Sequence, residues 1–232
     1  MSKAKFLVIA SDVSRNDMPV RLGVRVSRDG SPHVIDDATV NRTTSGDGFV
    51  AYHSDAELRA LGVMSLDDFL LARMRAAPSA PLVVIELKAA QSAFAVGMTL
   101  TRFFNKGMLN KRDVIVSSFI YAEADNFKKL IPDVPVALCI NGIPHDYSRA
   151  VAKLGADALF IDADYVERTM IDEARHYGAK VFVDGVNKPE HIARLMDMKV
   201  SGVVTKSPRE INKLVNGLSG STKIERTLRE CA

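Results

Sequence analysis

The sequence predicts one α/β domain built as a (β/α)8 TIM barrel, and three observations lead to that prediction. The chain has 232 residues, which suits a single barrel of roughly 200–250 residues. Short β-branched apolar runs alternate with longer amphipathic segments, a pattern typical of parallel strands joined by helical crossovers. Glycines recur at junctions between a predicted helix and the next predicted strand, at Gly155, Gly178 and Gly202.

Eight apolar runs are the predicted strands of the barrel. They are Phe6–Ala10, Val20–Val26, Leu82–Leu87, Val114–Val116, Val136–Ile140, Ala158–Ile161, Lys180–Val183 and Gly202–Val204. Amphipathic segments between them are the predicted helices. They are Leu66–Ala77, Phe94–Phe104, Ala122–Leu130, Ser148–Leu154, Val166–Tyr177, Pro189–Met196 and Pro208–Leu218. Eight strand units in a chain of this length indicate a closed barrel.

The first third of the chain departs from this pattern. Only nine residues separate Ala10 from Val20, whereas a parallel crossover needs roughly a dozen or more. We therefore expect that the first helix is missing or shortened, or that these two strands are not ordinary parallel neighbours. Residues 29–65 are predicted as a loop-rich insertion with one short strand, Pro32–Asp36. The predicted domain covers residues 1–218, and residues 219–232 form a C-terminal tail.

Composition excludes several classes of function. The net charge is +3, with acidic and basic residues interleaved, which argues against a nucleic-acid surface. The first apolar run, Phe6–Ala10, is too short for a signal-peptide core or a membrane span. Two cysteines, Cys139 and Cys231, do not form a disulfide framework. We therefore expect a cytoplasmic protein with no transmembrane segment and no nucleic-acid partner.

Two side chains have simple structural interpretations. Cys139 lies in an apolar run and is expected in the core. His33 precedes Asp36 by three residues, so in an extended strand it faces the opposite side. We expect His33 on the surface.

The insertion contains the most informative motif of the sequence. Asp29-Gly30-Ser31-Pro32 is followed by Asp36-Asp37, then by Arg42-Thr43-Thr44, Gly46 and Gly48. This spacing resembles the signature of the glycerophosphodiester phosphodiesterases, T-x-D-G-x-P-V-x-x-H-D-x-x-x-x-R-T-T-x-G-x-G. Further on, Ile85-Glu86-Leu87-Lys88 resembles the I-E-I-K strand of the family. The resemblance covers residues 5–215 and implies a TIM barrel of the PLC-like phosphodiesterase type.

The resemblance also implies a chemistry. Members of this family, which belongs to lipid metabolism, hydrolyse glycerophosphodiesters with a divalent cation and two histidines. The cation is held by a Glu and an Asp on the second strand and by the Glu of I-E-I-K, and the Lys of that motif meets the phosphate. Glu86 and Lys88 match the last two positions.

The remaining family positions are occupied by other residue types. Ser11 stands at the first histidine, and Asp36 and Asp37 stand at the H-D motif. Arg21 and Gly23 replace the second-strand pair. Phosphodiester cleavage needs a general acid with a pKa near neutrality, which histidine supplies and serine does not. These replacements predict a catalytically degenerate barrel, or pseudoenzyme, with no confident catalytic residue.

The replacement on the second strand suggests its own geometry. If Arg21 points inward, its guanidinium lies near Glu86 and fills the volume of the cation, and Gly23 leaves room for the long side chain. Arg21, Glu86 and Lys88 are then the candidate residues for binding an anionic ligand. No metal is expected, because one glutamate beside an arginine is a poor cage for a hard cation. Glu86 is the residual metal candidate, and Mg²⁺ or Ca²⁺ is expected only if the protein is active.

Three functions stay open at this point. The first is a binding or regulatory protein for a phosphorylated small molecule or a protein partner. The second is an active phosphodiester hydrolase with a rebuilt acidic site. Its candidate acids are Asp36, Asp37, Glu86, Asp162 and Asp184. The third is a structural scaffold that forms homo- or hetero-oligomers through the apolar flank of Phe94 and Met98 on a predicted helix or through the C-terminal tail.

Overall fold

The computed structural model describes residues 6–15, 17–77, 82–144 and 147–218. All eight predicted strands and all seven predicted helices are present, with bounds that differ by only a few residues. The predicted C-terminal tail, residues 219–232, and Cys231 lie outside the described residues. The fold class predicted from the sequence is therefore confirmed.

Eight parallel strands form a closed ring. In chain order the strands are β1 (Leu7–Ala10), β2 (Val20–Val26), β3 (Pro32–Val34), β4 (Val83–Leu87), β5 (Val114–Ser118), β6 (Val136–Ile140), β7 (Ala158–Asp162), β8 (Lys180–Asp184) and β9 (Gly202–Thr205). β3 is the exception, since it pairs antiparallel to β2 outside the ring. β1 pairs with β9 on one side and with β2 on the other, and this closes the barrel.

Helices cover the outside of the ring. They are α1 (Asp55–Ala60), α2 (Leu66–Ala76), α3 (Ser92–Asn105), α4 (Tyr121–Leu130), α5 (Tyr147–Leu154), α6 (Arg168–His176), α7 (Glu190–Asp197) and α8 (residues 208–218). On α3 the apolar stripe that includes Val96 and Leu100 is buried, whereas Phe94 and Met98 are exposed. Within the described ranges, no helix combines the length and the apolar character that a membrane crossing requires.

The core has two layers. Inside the ring, a compact cluster includes Ile9, Val84, Cys139 and the stacked pair Phe160 and Phe182, whose ring centroids lie 5.0 Å apart. A larger cluster fills the space between the strands and the helices. This division is the expected consequence of alternation along each strand, which sends successive side chains to opposite faces. The prediction that Cys139 is a core residue is confirmed.

A buried arginine supports the connection between β1 and β2, where the usual helix is missing. β1 and β2 are parallel neighbours, yet the described residues that connect them contain no helix. Arg73 of α2 is 1% exposed and reaches under this connection. Its guanidinium donates to the backbone oxygens of Arg15 at 3.0 Å and Met18 at 2.5 Å. A side chain of α2 thus provides hydrogen-bond donors for two carbonyl groups of the short connection.

The insertion is more ordered than the sequence predicted. It contains the helix α1, which the sequence reading missed although Ser54 and Glu57 provide a recognisable capping box at its start. The insertion also has a small core of its own. That core consists of Ile35, Val40, Val50, Leu58 and Val63. Residues 35–63 therefore form a folded cap on the barrel.

The expectation that His33 lies on the surface is wrong. His33 is 1% exposed, because the insertion and α2 cover the outer side of β3. Its Nε2 lies 3.2 Å from Asp55 Oδ1. The same carboxylate accepts hydrogen bonds of 2.5 Å from the hydroxyls of Ser27 and Ser31. His33 therefore joins the β2–β3 turn to the start of α1.

Replacement of Arg73 should show how much the short connection depends on this side chain. We expect Arg73→Met to lower the free energy of unfolding by about 2–3 kcal/mol, because two buried carbonyl groups lose charged donors. Urea denaturation measures this change. Arg75→Met, at an exposed position of the same helix, is the matched control and should have little effect. A loss below about 0.5 kcal/mol for Arg73→Met contradicts the role assigned to it.

Candidate functional site

A polar cavity of about 230 Å³ opens at the carboxyl ends of the barrel strands. Side chains from β2, β4 and β8 and from the connections after β1 and β5 surround it. The lining residues are Ser11, Arg21, Leu22, Gly23, Asp36, Glu86, Lys88, Phe119, Asp184 and Val204. This end of a (β/α)8 barrel is where binding and catalytic residues converge.

Arg21 lies at the centre of the cavity floor. Its side chain is 7% exposed, and its Nη2 donates to Glu86 Oε2 at 2.9 Å. Its Nη1 pairs with Asp184 Oδ2. The guanidinium also lies over the ring of Phe160, 5.0 Å from the centroid, which favours a cation. The predicted contact between Arg21 and Glu86 is present, and Asp184 is a second partner that the sequence reading did not assign.

The charge on Arg21 is held by its surroundings. Burial lowers the pKa of a guanidinium, but the negative charge that Cys139 carries as a thiolate at high pH and the carboxylates of Glu86 and Asp184 raise the pKa of Arg21 above its ordinary value. Burial also raises the pKa of Cys139 to about 11, so that thiol is neutral at pH 7. The two carboxylates are therefore the groups that balance the guanidinium.

Lys88 lies above Arg21 at the mouth of the cavity. Its Nζ is 3.3 Å from Glu86 Oε1 and 3.5 Å from Asp36 Oδ1. Arg25 fixes the backbone on both sides of this contact. Its guanidinium donates to the backbone oxygen of Lys88 at 2.9 Å and to that of Asp36 at 3.1 Å. Arg25 thereby fastens the insertion to the end of β4 and places Asp36 over the cavity.

The expectation that Gly23 makes room for Arg21 is wrong. A Cβ at Gly23 would collide with Asp36 Oδ1 and would lie 2.7 Å from Lys88 Cδ. The side chains of Lys88 and Asp36 fill this space. Lys88 is close because Gly23 pairs in register with Glu86, and Glu86 lies two residues before Lys88. Gly23 therefore permits the close approach of the lysine stem and the aspartate.

The other residues predicted for the site divide into two groups. Ser11 is exposed and lines the cavity, as expected for a residue that follows β1. Asp37 does not line the cavity but pairs with Arg42 at 2.6 Å. Asp162 lines a smaller adjoining cavity, and its Oδ1 accepts a hydrogen bond from the backbone of Asp164. The structure thus brings Ser11 to the cavity, places Asp162 beside it and leaves Asp37 outside.

Two residues of the site were missed by the sequence reading. Phe119 is half-exposed and forms an apolar wall of the cavity. Arg25 follows Arg21 and Gly23 by the strand period of two, so alternation places all three on one face of β2. That periodicity was a usable signal for Arg25. Phe119 follows the buried Ser117-Ser118 end of β5, where a barrel presents its loops.

The oxygen ligands at this site do not fit a divalent cation. Among the described residues, no three His, Cys, Asp or Glu side chains are grouped so that they could hold a metal ion. Glu86 and Asp184 both direct an oxygen at Arg21, and the second oxygen of Glu86 faces Lys88. A hard cation requires several free oxygen ligands. The guanidinium occupies the space between the two carboxylates instead.

Fold and cavity together define a (β/α)8-barrel protein with a charged cavity at the carboxyl ends of its strands. The family model described as the Glycerophosphoryl diester phosphodiesterase family matches residues 22–210. The chain belongs to this family.

Similar proteins agree with this assignment. A glycerophosphodiester phosphodiesterase of Caldanaerobacter subterraneus subsp. tengcongensis is 26% identical over 208 residues, which cover 84% of this chain and 85% of that protein. Among solved structures, a phosphodiesterase of Oleispira antarctica in complex with the product sn-glycerol-3-phosphate superposes with a TM-score of 0.79 at 18% identity, covering 90% of this chain and 96% of that chain. A glycerophosphodiester phosphodiesterase of Thermotoga maritima gives a TM-score of 0.69 at 19% identity, covering 91% and 99%. At these identities the structural likeness shows the fold.

Substitution of the central ion pair should produce non-additive effects. We expect Arg21→Ala to lower the free energy of unfolding by about 3–5 kcal/mol, because Glu86 is left buried without its guanidinium partner. The double variant Arg21→Ala with Glu86→Gln should be more stable than Arg21→Ala alone, since the uncompensated charge is gone. Chemical denaturation of the wild type, both single variants and the double variant measures the coupling. Additive effects would show that the two groups do not interact.

Proposed function

We propose that this chain binds a phosphorylated small molecule at the mouth of its barrel and does not cleave phosphodiesters. Membership of a family whose relatives are named as phosphodiesterases supports a phosphorylated ligand. The single observation that carries the absence of cleavage is the pairing of Arg21 with Glu86 and Asp184.

The pairing matters because it occupies the carboxylates that phosphodiester hydrolysis would need. The oxygens of Glu86 and Asp184 that accept hydrogen bonds from the buried guanidinium are already occupied. They are then not free to coordinate a cation or to contact a leaving group. None of the described residues that line the cavity is a histidine, and the resemblance places histidines at the positions of Ser11 and Asp36. A general acid typically contributes roughly 10²–10⁴-fold to the rate.

Lys88 is the group proposed to meet the phosphate. Its side chain is 24% exposed, and the two carboxylate partners of its ammonium group lie at 3.3 and 3.5 Å. Below it, the two terminal nitrogens of Arg21 pair with Asp184 and Glu86, whereas Lys88 lies at the cavity mouth. The hydroxyl of Ser11 offers a further hydrogen bond, and the ring of Phe119 offers an apolar wall for the organic part of the ligand.

A second candidate function is phosphodiester hydrolysis by a rebuilt acidic site. The observation that favours it is the family match over residues 22–210 together with the names of the relatives. In that case Asp36, whose side chain is 61% exposed, is the candidate group for proton transfer, because it is the most exposed carboxyl group of the cavity lining. The two candidates differ in one measurable property, which is turnover.

A turnover assay separates the two functions. We expect no hydrolysis of glycerophosphodiesters or of bis(p-nitrophenyl) phosphate by the purified protein in the presence of Mg²⁺, Ca²⁺ or Mn²⁺. Glu86→Ala is the control for a contaminating enzyme, because a contaminant does not respond to a substitution in this chain. Turnover that is present in the wild type and lost in Glu86→Ala would establish hydrolysis and overturn the binding proposal.

Thermal unfolding tests the cation site separately. A ligand at 100 times its Kd stabilises the folded state by about 2.7 kcal/mol, which is readily seen as a rise in Tm. We expect no such rise with millimolar Ca²⁺ or Mg²⁺, because Arg21 stands between the two carboxylates. The control variant is Glu86→Gln. A rise in the wild type that disappears in Glu86→Gln would show that a cation binds at this site.

A further inference from the structure

Asp36 occupies an unusual position at the mouth of the cavity. Its backbone oxygen is fixed by Arg25, and its Oδ1 lies 3.5 Å from Lys88 Nζ. A Cβ at residue 23 would collide with this oxygen, so the glycine at position 23 permits this placement. The insertion therefore delivers a carboxylate directly to the ammonium proposed to bind phosphate.

The two carboxylates next to Lys88 differ in how firmly they are held. The side chain of Glu86 is 7% exposed and lies between two cations, at 2.9 Å from Arg21 and 3.3 Å from Lys88. The side chain of Asp36 is 61% exposed and meets Lys88 at a longer distance. An exposed pair of this kind contributes little to stability. Asp36 can therefore leave Lys88 by a side-chain rotation, whereas Glu86 cannot.

The charges around the cavity make this difference important. Two of the lining residues are basic, Arg21 and Lys88. Three are acidic, Asp36, Glu86 and Asp184. With Asp36 in place the lining carries one excess negative charge, which opposes the entry of a phosphate. Without it the lining is neutral, and Lys88 has a vacant side for an anion.

We propose that the Asp36 carboxylate is a built-in counter-anion that occupies the phosphate position beside Lys88 and sets the affinity of the mouth for phosphomonoesters. This inference rests on the proposed binding function and names the residue that controls it. A phosphate oxygen and a carboxylate oxygen are equivalent acceptors for an ammonium group. Ligand binding thus exchanges the contact between Lys88 and Asp36 for one between Lys88 and phosphate, with Asp36 released into solvent.

The test compares charge removal inside and outside the cavity. Isothermal titration calorimetry at fixed ionic strength measures the Kd of inorganic phosphate and of sn-glycerol 3-phosphate. The variants are the wild type, Asp36→Asn, Asp164→Asn and the double change Asp36→Asn with Lys88→Gln. Asp164 is the matched control, because it is an exposed aspartate after β7, at the same end of the barrel, and does not line the cavity.

Asp36→Asn should tighten the binding of both anions about tenfold, since the carboxylate 3.5 Å from Lys88 Nζ is replaced by a neutral amide. Asp164→Asn should change the Kd less than twofold, because exposed charges farther away are screened by salt. The double variant should lose the whole gain. The rise in Tm caused by 10 mM phosphate in each variant, a concentration on the order of a weak millimolar Kd, is a second and independent measurement.

Two outcomes would overturn the inference. An unchanged Kd in Asp36→Asn, with measurable binding in the wild type, would show that Asp36 does not compete with the ligand, although the proposed binding function would stand. An equal gain in Asp36→Asn and Asp164→Asn would reduce the effect to net charge. If neither the wild type nor Asp36→Asn binds either anion, both the inference and the phosphorylated ligand of the proposed function are wrong.

Discussion

The guanidinium of Arg21 is the group on which the candidate site depends. It is buried among aromatic and aliphatic side chains inside the ring, where an uncompensated charge is costly. Glu86 and Asp184 come from strands on opposite sides of it, and each supplies an acceptor. The three side chains therefore fix one another, and they connect β2, β4 and β8 across the barrel interior. The floor of the cavity is thus held together by paired charges from three strands.

Charged side chains organise the layer above this floor as well. Arg25 uses backbone oxygens of Asp36 and Lys88 to hold the insertion against the ring. Gly23 then allows the lysine stem and the aspartate to lie side by side. The cavity is thus built from a fixed lower ion pair and a looser upper one. Family membership accounts for the barrel, and the side chains of β2, β4, β8 and the insertion set the charge arrangement inside it.

Most of the fold could be predicted from the sequence, because period-two and helical patterns report directly on buried faces. The contact of Arg21 with Glu86 was also predictable, since the resemblance placed both on inward positions of neighbouring strands. The pairing of Asp184 with Arg21 was not predicted, because β8 is far from β2 in sequence and only closure of the ring brings the two strands near each other. His33 was misplaced for a related reason. Alternation gives the face of a strand, but the burial of that face depends on what folds over it.

The seam of the barrel has a consequence for the order in which the protein can form on the ribosome. β1 pairs with β9 over four residues but with β2 at one, between Ala10 and Val20. Its main partner strand, Gly202–Thr205, is synthesised after the other strands of the ring. β1 therefore lacks most of its strand pairing until β9 has been synthesised. An apolar strand without its main partner is prone to aggregation, so Leu7–Ala10 depends on the late strand Gly202–Thr205 for protection.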